Sequence, residues 1–309
     1  MKLINKILLI GSVFLILIFT GYSKFNSEKV DIVIFSYDRP MQVYALLESI
    51  QKYVKGYGQI SMVYRVSNQD YNDAYEQVKK DFSSIIYLKQ GQNPKDDFKD
   101  LTMHAAFESP NEYLAFCVDD VVVKDNLDLS YCATKLKQTN AHAFLVRLGK
   151  NIVQSYMGKY KSPVPKFETV ENGLHSYIFR YSKGDWAYPN NVDFTIYSKQ
   201  KIKGMLENIP KENFHNPYFE VYWYFQSNMN EKGLFFDESK IVNICINLVN
   251  ELDPNYAQFT DSWKQNMYLY EPKILLEKFN SGYKFDISPI HKIRNPSPHI
   301  EFQLNFIKR

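Results

Sequence analysis

The stretch YLAFCVDDVVV, Tyr113 to Val123, sets two adjacent carboxylates into a run that otherwise reads as a β-strand buried on both faces. Ionised carboxylates in apolar surroundings are costly unless something pairs with them. A strand that ends in Asp119-Asp120 within an α/β sheet puts both side chains at a carboxyl edge, where such sheets bind ligands. The competing reading is an Asp pair in the turn after a strand, because Asp is a common turn residue. This stretch alone supports both, and the flanking chain has to decide between them.

The chain has 309 residues, 45% of them hydrophobic, enough for one large domain or two small ones. Its net charge of +3 is small, and no block of Lys and Arg is long enough to form a footprint for nucleic acid. No nucleic-acid partner is expected. Aromatic residues make up 16%, which suits a thick core and equally suits surfaces that stack on sugar rings. Cys117, Cys132 and Cys245 are too few and too scattered for a disulfide framework or a zinc knuckle, and Cys117 reads as a small buried hydrophobe. The six histidines show no HExxH spacing. A metal, if one binds, is held by carboxylates.

At the amino terminus Lys2 and Lys6 precede an apolar run from Ile7 to Phe19, the layout of a secretory signal peptide or of a single-pass signal anchor. The run is short for a bilayer span, and extending it to Tyr22 brings it near the lower limit. No clean A-x-A site follows, which favours an uncleaved anchor, with a polar linker from Ser23 to Lys29. The reading therefore sets residues 1–29 apart from a domain over 30–309, in a membrane protein whose basic amino terminus faces the cytoplasm.

Within that domain VDIVIFS, Val30 to Ser36, reads as a strand buried on both faces, and Pro40 opens a helix whose apolar stripe is Val43, Leu46, Leu47, Ile50 and Val54. A second strand is expected over Ile60 to Asn68, then a helix from Asp70 to Phe82 and a short strand from Ser84 to Leu88. A polar loop, Lys89 to Asp97, leads to a helix over Phe98 to Phe107 with Asp96 or Asp97 as its cap, and Tyr113 to Val123 is the fourth strand. Leu127 to Lys137 reads as helix and Ala143 to Asn151 as strand; Ile152 to Asp185 is irregular and is expected to shape a site. A strand over Asn191 to Ser198, a helix over Lys199 to Asn208, a helix capped at Asn216-Pro217 and further strands within Gly233 to Ile246 follow. The alternation predicts an α/β fold with a mostly parallel sheet and helices on both faces.

Three short motifs occur in order: S-Y-D-R-P at Ser36 to Pro40, S-N-Q-D at Ser67 to Asp70, and D-D-V at Asp119 to Val121. Together they resemble the glycosyltransferases of the GT-A fold, the family 2-like group in particular, over roughly Val30 to Gln226. The resemblance implies a Rossmann-like GT-A domain with a nucleotide-binding half over 30–125 and an acceptor half over 126–309. It also implies a nucleotide-sugar donor such as a UDP- or GDP-sugar, a divalent cation (Mn²⁺ or Mg²⁺), and a glycan or glycolipid acceptor. A hard cation held by carboxylates suits a leaving diphosphate, on which negative charge develops.

By the same resemblance Asp120 would bind the metal, and Asp119 would bind the ribose or share the metal. Val121 stands where many relatives have a third acid. Ser36, Tyr37, Asp38 and Arg39 would line the nucleotide, and Asn68, Gln69 and Asp70 would read the base. Each has a plainer role too: Asp38 as a turn residue, Arg39 as a surface cation, Asp70 as part of a helix start. Lys95 and Lys99 would meet the diphosphate or stay solvated. Inverting transfer needs a general base, for which Glu220 in NPYFE comes first, with Asp193 and Asp185 next; the plainer role of Glu220 is to favour a helix dipole. Trp186 would form a sugar platform or sit in the core. His299, and less so His291, would add a metal ligand. Two rivals remain: a nucleotidyltransferase, against which SYDRP counts because it is no Gly-rich phosphate loop, and a non-catalytic glycan-binding protein that retains the fold.

Overall fold

The computed structural model describes residues 28–216, 218–247 and 270–309. The N-terminal apolar run and Pro217 of the expected helix cap lie outside the described residues. Among the described residues no helix is long and apolar enough to cross a membrane.

The chain starts with β1 (Val30–Tyr37), and Pro40, with its φ preset for helix, opens α1 (Pro40–Tyr53). There follow β2 (Tyr57–Arg65), α2 (Gln69–Asp81), β3 (Ile86–Lys89), α3 (Pro94–Phe107) and β4 (Tyr113–Val118). Asn68 caps α2 by accepting from the Tyr71 amide, so this member of S-N-Q-D has a structural partner. α3 begins four residues before the expected Phe98, because Asn93 rather than Asp96 or Asp97 caps it and Pro94 fits its first turn.

The apolar run from Tyr113 to Val123 is not one strand. β4 stops at Val118, Asp119-Asp120 form a turn, and β5 (Val121–Val123) joins a different sheet. Two adjacent charged residues cannot both leave the apolar interior of a flat strand, since neighbours point to opposite faces; a turn lets both face one side. The rest comprises α4 (Leu129–Thr139), β6 (Ala143–Gly149), the short hairpin β7 (Gln154–Ser155) and β8 (Tyr160–Lys161), then β9 (Glu168–Glu171), β10 (Leu174–Ile178) and β11 (Thr195–Ser198). α5 (Lys199–Glu207), α6 (Tyr218–Phe225), β12 (Lys232–Phe236), β13 (Ile241–Ile244), α7 (Pro272–Asn280), β14 (Tyr283–Phe285), β15 (His299–Ile300) and β16 (Phe306–Lys308) follow, beside shorter pairings such as Val54–Lys55 with Leu127–Asp128.

Nine strands form the main sheet in the order β9-β10-β12-β6-β11-β4-β1-β2-β3. β3, β2, β1 and β4 are mutually parallel, whereas β11 runs antiparallel between β4 and β6, and β10 antiparallel beside β12. The sheet is therefore mixed, with its parallel part in the N-terminal half. Alternate residues of each central strand feed two cores. Ile32, Ile34, Ala115 and Cys117 face the side covered by α1, α2, α4 and α7. Val33, Leu114 and Phe116 face the side covered by α3, α5 and α6. Helices thus pack on both faces, and the strand order reverses between β1 and β4, the switch point at which an open α/β sheet leaves a crevice beyond its carboxyl ends.

A second sheet, β15-β13-β5, stands beside that crevice. Asn243 of β13 pairs with Val121 on one side and His299 on the other. Val121, at the position where a third acid would stand by resemblance, is fully buried as the first residue of β5.

Candidate active site

The two loops at the switch point are locked together by Asp119. Its Oδ2 accepts from the Ser36 hydroxyl at 2.8 Å and the Tyr37 amide at 3.3 Å, and its Oδ1 accepts from Arg39 Nη1 at 2.9 Å. Because the single Ser36 proton goes to Asp119, Tyr75 must donate in the 2.5 Å contact between its hydroxyl and Ser36 Oγ, and Tyr75 in turn accepts from the Arg39 amide. Arg39 is buried, and its Nη2 donates to the Asn247 carbonyl at 2.6 Å. Such a fork of charge-assisted bonds fixes position as well as charge. Arg39 is thus no surface cation.

Asp120 is disposed differently. Its backbone carbonyl accepts from the Ile244 amide, its Oδ1 accepts from Asn243 Nδ2 at 3.1 Å, and its Oδ2 stands 3.7 Å from Arg39 Nη1. The same Asn243 Nδ2 donates to Asp193 Oδ1 at 3.0 Å, and the other oxygen of Asp193 lies 3.9 Å from His299 Nε2. Burial pushes the Asp120 carboxyl up to about 6; Arg39 and His299 oppose the rise, and the charges of Asp119 and Asp193 add to it. Glu220, on α6, accepts at Oε1 from the Val192 amide at 3.3 Å and is pushed up to about 7, first by burial and next by the Asp193 charge.

Asp119, Asp120, Asp193, Glu220 and His299 therefore meet at one place with Ser36, Tyr37 and Arg39. Asp38 adopts φ 52° and accepts from the Ser67 amide at 2.9 Å, tying the loop after β1 to the loop after β2; burial raises its carboxyl. The Arg65 guanidinium covers the Tyr37 ring at 3.9 Å. Asp70 sits in the first turn of α2. Asp185 lies apart from the acidic group, its Oδ1 3.9 Å from Arg147 and its carbonyl accepting from the same guanidinium. Trp186 is fully buried, so the sugar-platform reading fails for it. Lys99 spends its ammonium on the carbonyls of Glu207 and Ile209, Lys95 is exposed, and His291 stacks on Tyr53.

Asn243, Asn247, Tyr75 and Arg147 escaped the sequence reading. Asn243 and Asn247 did carry a signal: each is a polar residue within or beside the apolar run IVNICIN, where a buried amide needs partners.

The donor set suits a hard divalent ion. Asp120 offers carboxylate oxygens and His299 an imidazole, both accepted by Mn²⁺, and the Oδ1 of Asn243 beside them is buried with no hydrogen-bond partner. Asp119 and Asp120 share Arg39, and the charges of Asp119 and Asp193 raise Asp120, so a further positive charge would relieve it. Among the described residues no group of three or more His, Cys, Asp or Glu ligands is assembled for a metal; Mg²⁺ and Mn²⁺ sites with few protein ligands draw the rest from water and substrate phosphates.

Fold and site define the class: an α/β protein with a carboxylate-rich crevice at the switch point of a mixed sheet, resembling the nucleotide-sugar transferases of the GT-A fold. The particular likeness is to the bifunctional glycosyltransferase pgtA of Dictyostelium discoideum, 24% identical over 206 residues that cover 61% of this chain. The match spans only 26% of that protein. No family model matches the chain. Among solved structures, S. aureus TarS 1-349 in complex with UDP-GlcNAc superposes with a TM-score of 0.47 at 13% identity, over 78% of this chain and 65% of that one. The 4-diphosphocytidyl-2C-methyl-D-erythritol synthase of Anaerococcus prevotii gives 0.41 at 12% identity, over 80% and 97%. Scores this low leave the architecture to be read from the strand order itself.

Proposed function

We propose that this protein is a metal-dependent glycosyltransferase that moves a hexosyl-type sugar from a UDP- or GDP-sugar to a glycan or glycolipid hydroxyl, with inversion at the anomeric carbon. One observation carries the reading: of two adjacent carboxylates at the switch point, Asp119 is bound on both oxygens by Ser36, Tyr37 and Arg39, while Asp120 is turned toward Asn243, Asp193 and His299. The likeness to a known glycosyltransferase supports it.

In this reading the nucleotide lies over the loops after β1 and β2, against Tyr37, Asp38, Asn68 and Asp70, and Asp119 fixes that floor through Arg39. Asp120 and His299 would hold Mn²⁺ or Mg²⁺, which when bound neutralises charge on the diphosphate. The acceptor oxygen attacks the anomeric carbon; the bond from that carbon to the diphosphate oxygen breaks, and its electron pair leaves with the nucleoside diphosphate. The hydroxyl proton passes to Glu220, whose raised affinity for protons suits a base working near neutral pH. Asp193, next to it, is the alternative acceptor of that proton, and Asp185 acts from a distance by holding Arg147. The apolar run from Ile7 to Phe19 would anchor the domain to a membrane on the side away from the cytoplasm.

The test is release of nucleoside diphosphate from UDP- and GDP-sugars with Mn²⁺ or Mg²⁺, read by mass spectrometry. Asp120→Asn and Glu220→Gln should each lower turnover on the order of a hundredfold. Undiminished turnover in a chain carrying both Asp119→Asn and Asp120→Asn would end the metal assignment.

A further inference from the structure

A row of tyrosines begins on α6, the helix that carries Glu220. Tyr224 follows Glu220 by one turn on the same face of α6. Tyr188 packs on Tyr224 with ring centroids 5.3 Å apart and a tilt of 39°, and Tyr188 is 48% exposed. Tyr160, in the β8 strand of the short hairpin, is 49% exposed, and its ring lies against two glycines. A Cβ on Gly184 would stand 2.9 Å from the Tyr160 ring, and one on Gly158 would overlap it. Tyr160, Tyr224 and Asp185 all lie near enough to Tyr188 that their charges raise its hydroxyl, after burial as the first cause.

Besides α6, a buried side chain ties this row to the acidic site. Asn191 donates from Nδ2 to the Tyr188 carbonyl at 3.0 Å, while its Oδ1 accepts from the Asp193 amide at 3.1 Å and the Thr195 hydroxyl at 2.7 Å. Tyr188 and Asp193 are therefore fixed relative to each other. Tyr188 and Tyr160 are half open to solvent and Tyr224 is partly so, an arrangement that costs little ordering when a ligand arrives.

We propose that Tyr224, Tyr188 and Tyr160 form a track on which the acceptor saccharide chain stacks, with its reacting hydroxyl delivered to Glu220. The inference rests on the transferase reading and narrows its acceptor to a glycan of several sugars. Rigid, flat rings with hydroxyls at their rims present an apolar face and a polar edge, which matches the C–H face and hydroxyl edge of a pyranose. A lipid-inserting surface would pair its apolar side chains with a basic face, whereas α6, which also exposes Val221 and Phe225, carries no Lys or Arg. Continuity with the carboxylate site, through Asn191 and α6, marks the row as part of a substrate path.

The experiment compares the full chain with Tyr160→Ala, Tyr188→Ala, Tyr160→Phe and Tyr188→Phe on an immobilised array of hexose, N-acetylhexosamine and deoxyhexose oligosaccharides. Phosphatidylglycerol vesicles serve as a second probe, and the thermal shift with UDP- and GDP-sugars as a third. Each Ala variant should lose about tenfold in glycan affinity, the Phe variants should stay within about twofold of the parent, and longer chains should bind more tightly than single sugars. No glycan binding by the parent chain, equal binding by the Ala variants, or loss of vesicle binding in place of glycan binding overturns the proposal. Tyr-dependent glycan binding without any donor response leaves the saccharide track standing but removes the transferase reading and, with it, delivery to Glu220; a donor response with Tyr-independent glycan binding removes the track and leaves the transferase reading.

Discussion

Glu220 is held in a state that works against its own ionisation. Its carboxyl is pushed up to about 7 from the ordinary 4.5, first by burial and then by Asp193. The folded chain therefore binds that proton more tightly than the unfolded chain does. Stability from this group is full below about pH 4.5 and is lost as pH rises through about 7. Glu220→Gln removes the ionisation and keeps an oxygen for the Val192 amide. Urea unfolding should show the variant gaining on the parent by on the order of 3 kcal/mol between about pH 4.5 and about pH 8.5; a constant difference across that range would contradict the account. Arg39 shows the opposite economy, since Asp119 is nearly inaccessible and depends on it. Arg39→Ala should cost about 3 kcal/mol or more, read as a fall in the unfolding midpoint, and Arg39→Lys should recover little because one ammonium cannot serve both Asp119 and the Asn247 carbonyl. At this scale the sequence announces the acids but not their division of labour. Two charges after an apolar run are visible at Asp119-Asp120, whereas which of them turns inward depends on Arg39, Ser36 and Tyr75 arriving from other elements.

Among the elements, the break between β4 and β5 matters most. One apolar run is shared by two sheets, and that sharing brings Asn243 and His299 beside Asp120. Pattern alone reads Tyr113 to Val123 as continuous, since both pieces are buried and β-branched; only the pairing partners separate them. The same holds for β11: NVDFTIYS is legible as a strand, yet neither its antiparallel direction nor its seat between β4 and β6 is local information. α6 buries Phe219 and Trp223 and exposes Tyr218, Val221, Tyr222 and Phe225 as its outer face. The junction of β1 with α5 offers a test. Asp31 is almost fully buried and accepts from Lys199 Nζ at 2.7 Å, the Asn111 amide group at 2.6 Å and the Gln59 backbone at 2.8 Å. Lys199→Ala should destabilise by roughly 3 kcal/mol in chemical denaturation, because it leaves a buried carboxylate without its cation. A change within about 0.5 kcal/mol would mean that the pair is solvated.

Across the whole molecule, a three-layer architecture puts the carboxyl ends of β1, β2 and β4 into one crevice and folds the C-terminal strands β13 and β15 against it. The parallel core β3-β2-β1-β4 was legible because β1, β2 and β3 are each followed by a helix and β4 is a clean apolar run. The C-terminal contribution was not, because Asn243 reaches Asp120 through pairing of β13 with β5 across more than a hundred residues of sequence, and His299 arrives only by pairing with Asn243 in turn. The central claim is that the crevice takes a nucleotide-sugar with a divalent cation at Asp120. Isothermal titration of UDP- and GDP-sugars into the chain, with and without Mn²⁺, tests it most directly. The account predicts binding of at least one donor that tightens about tenfold or more with Mn²⁺, and loss of that increment in Asp120→Asn while the variant still unfolds cooperatively. Donor affinity identical with and without the metal, or unchanged in Asp120→Asn, would contradict it.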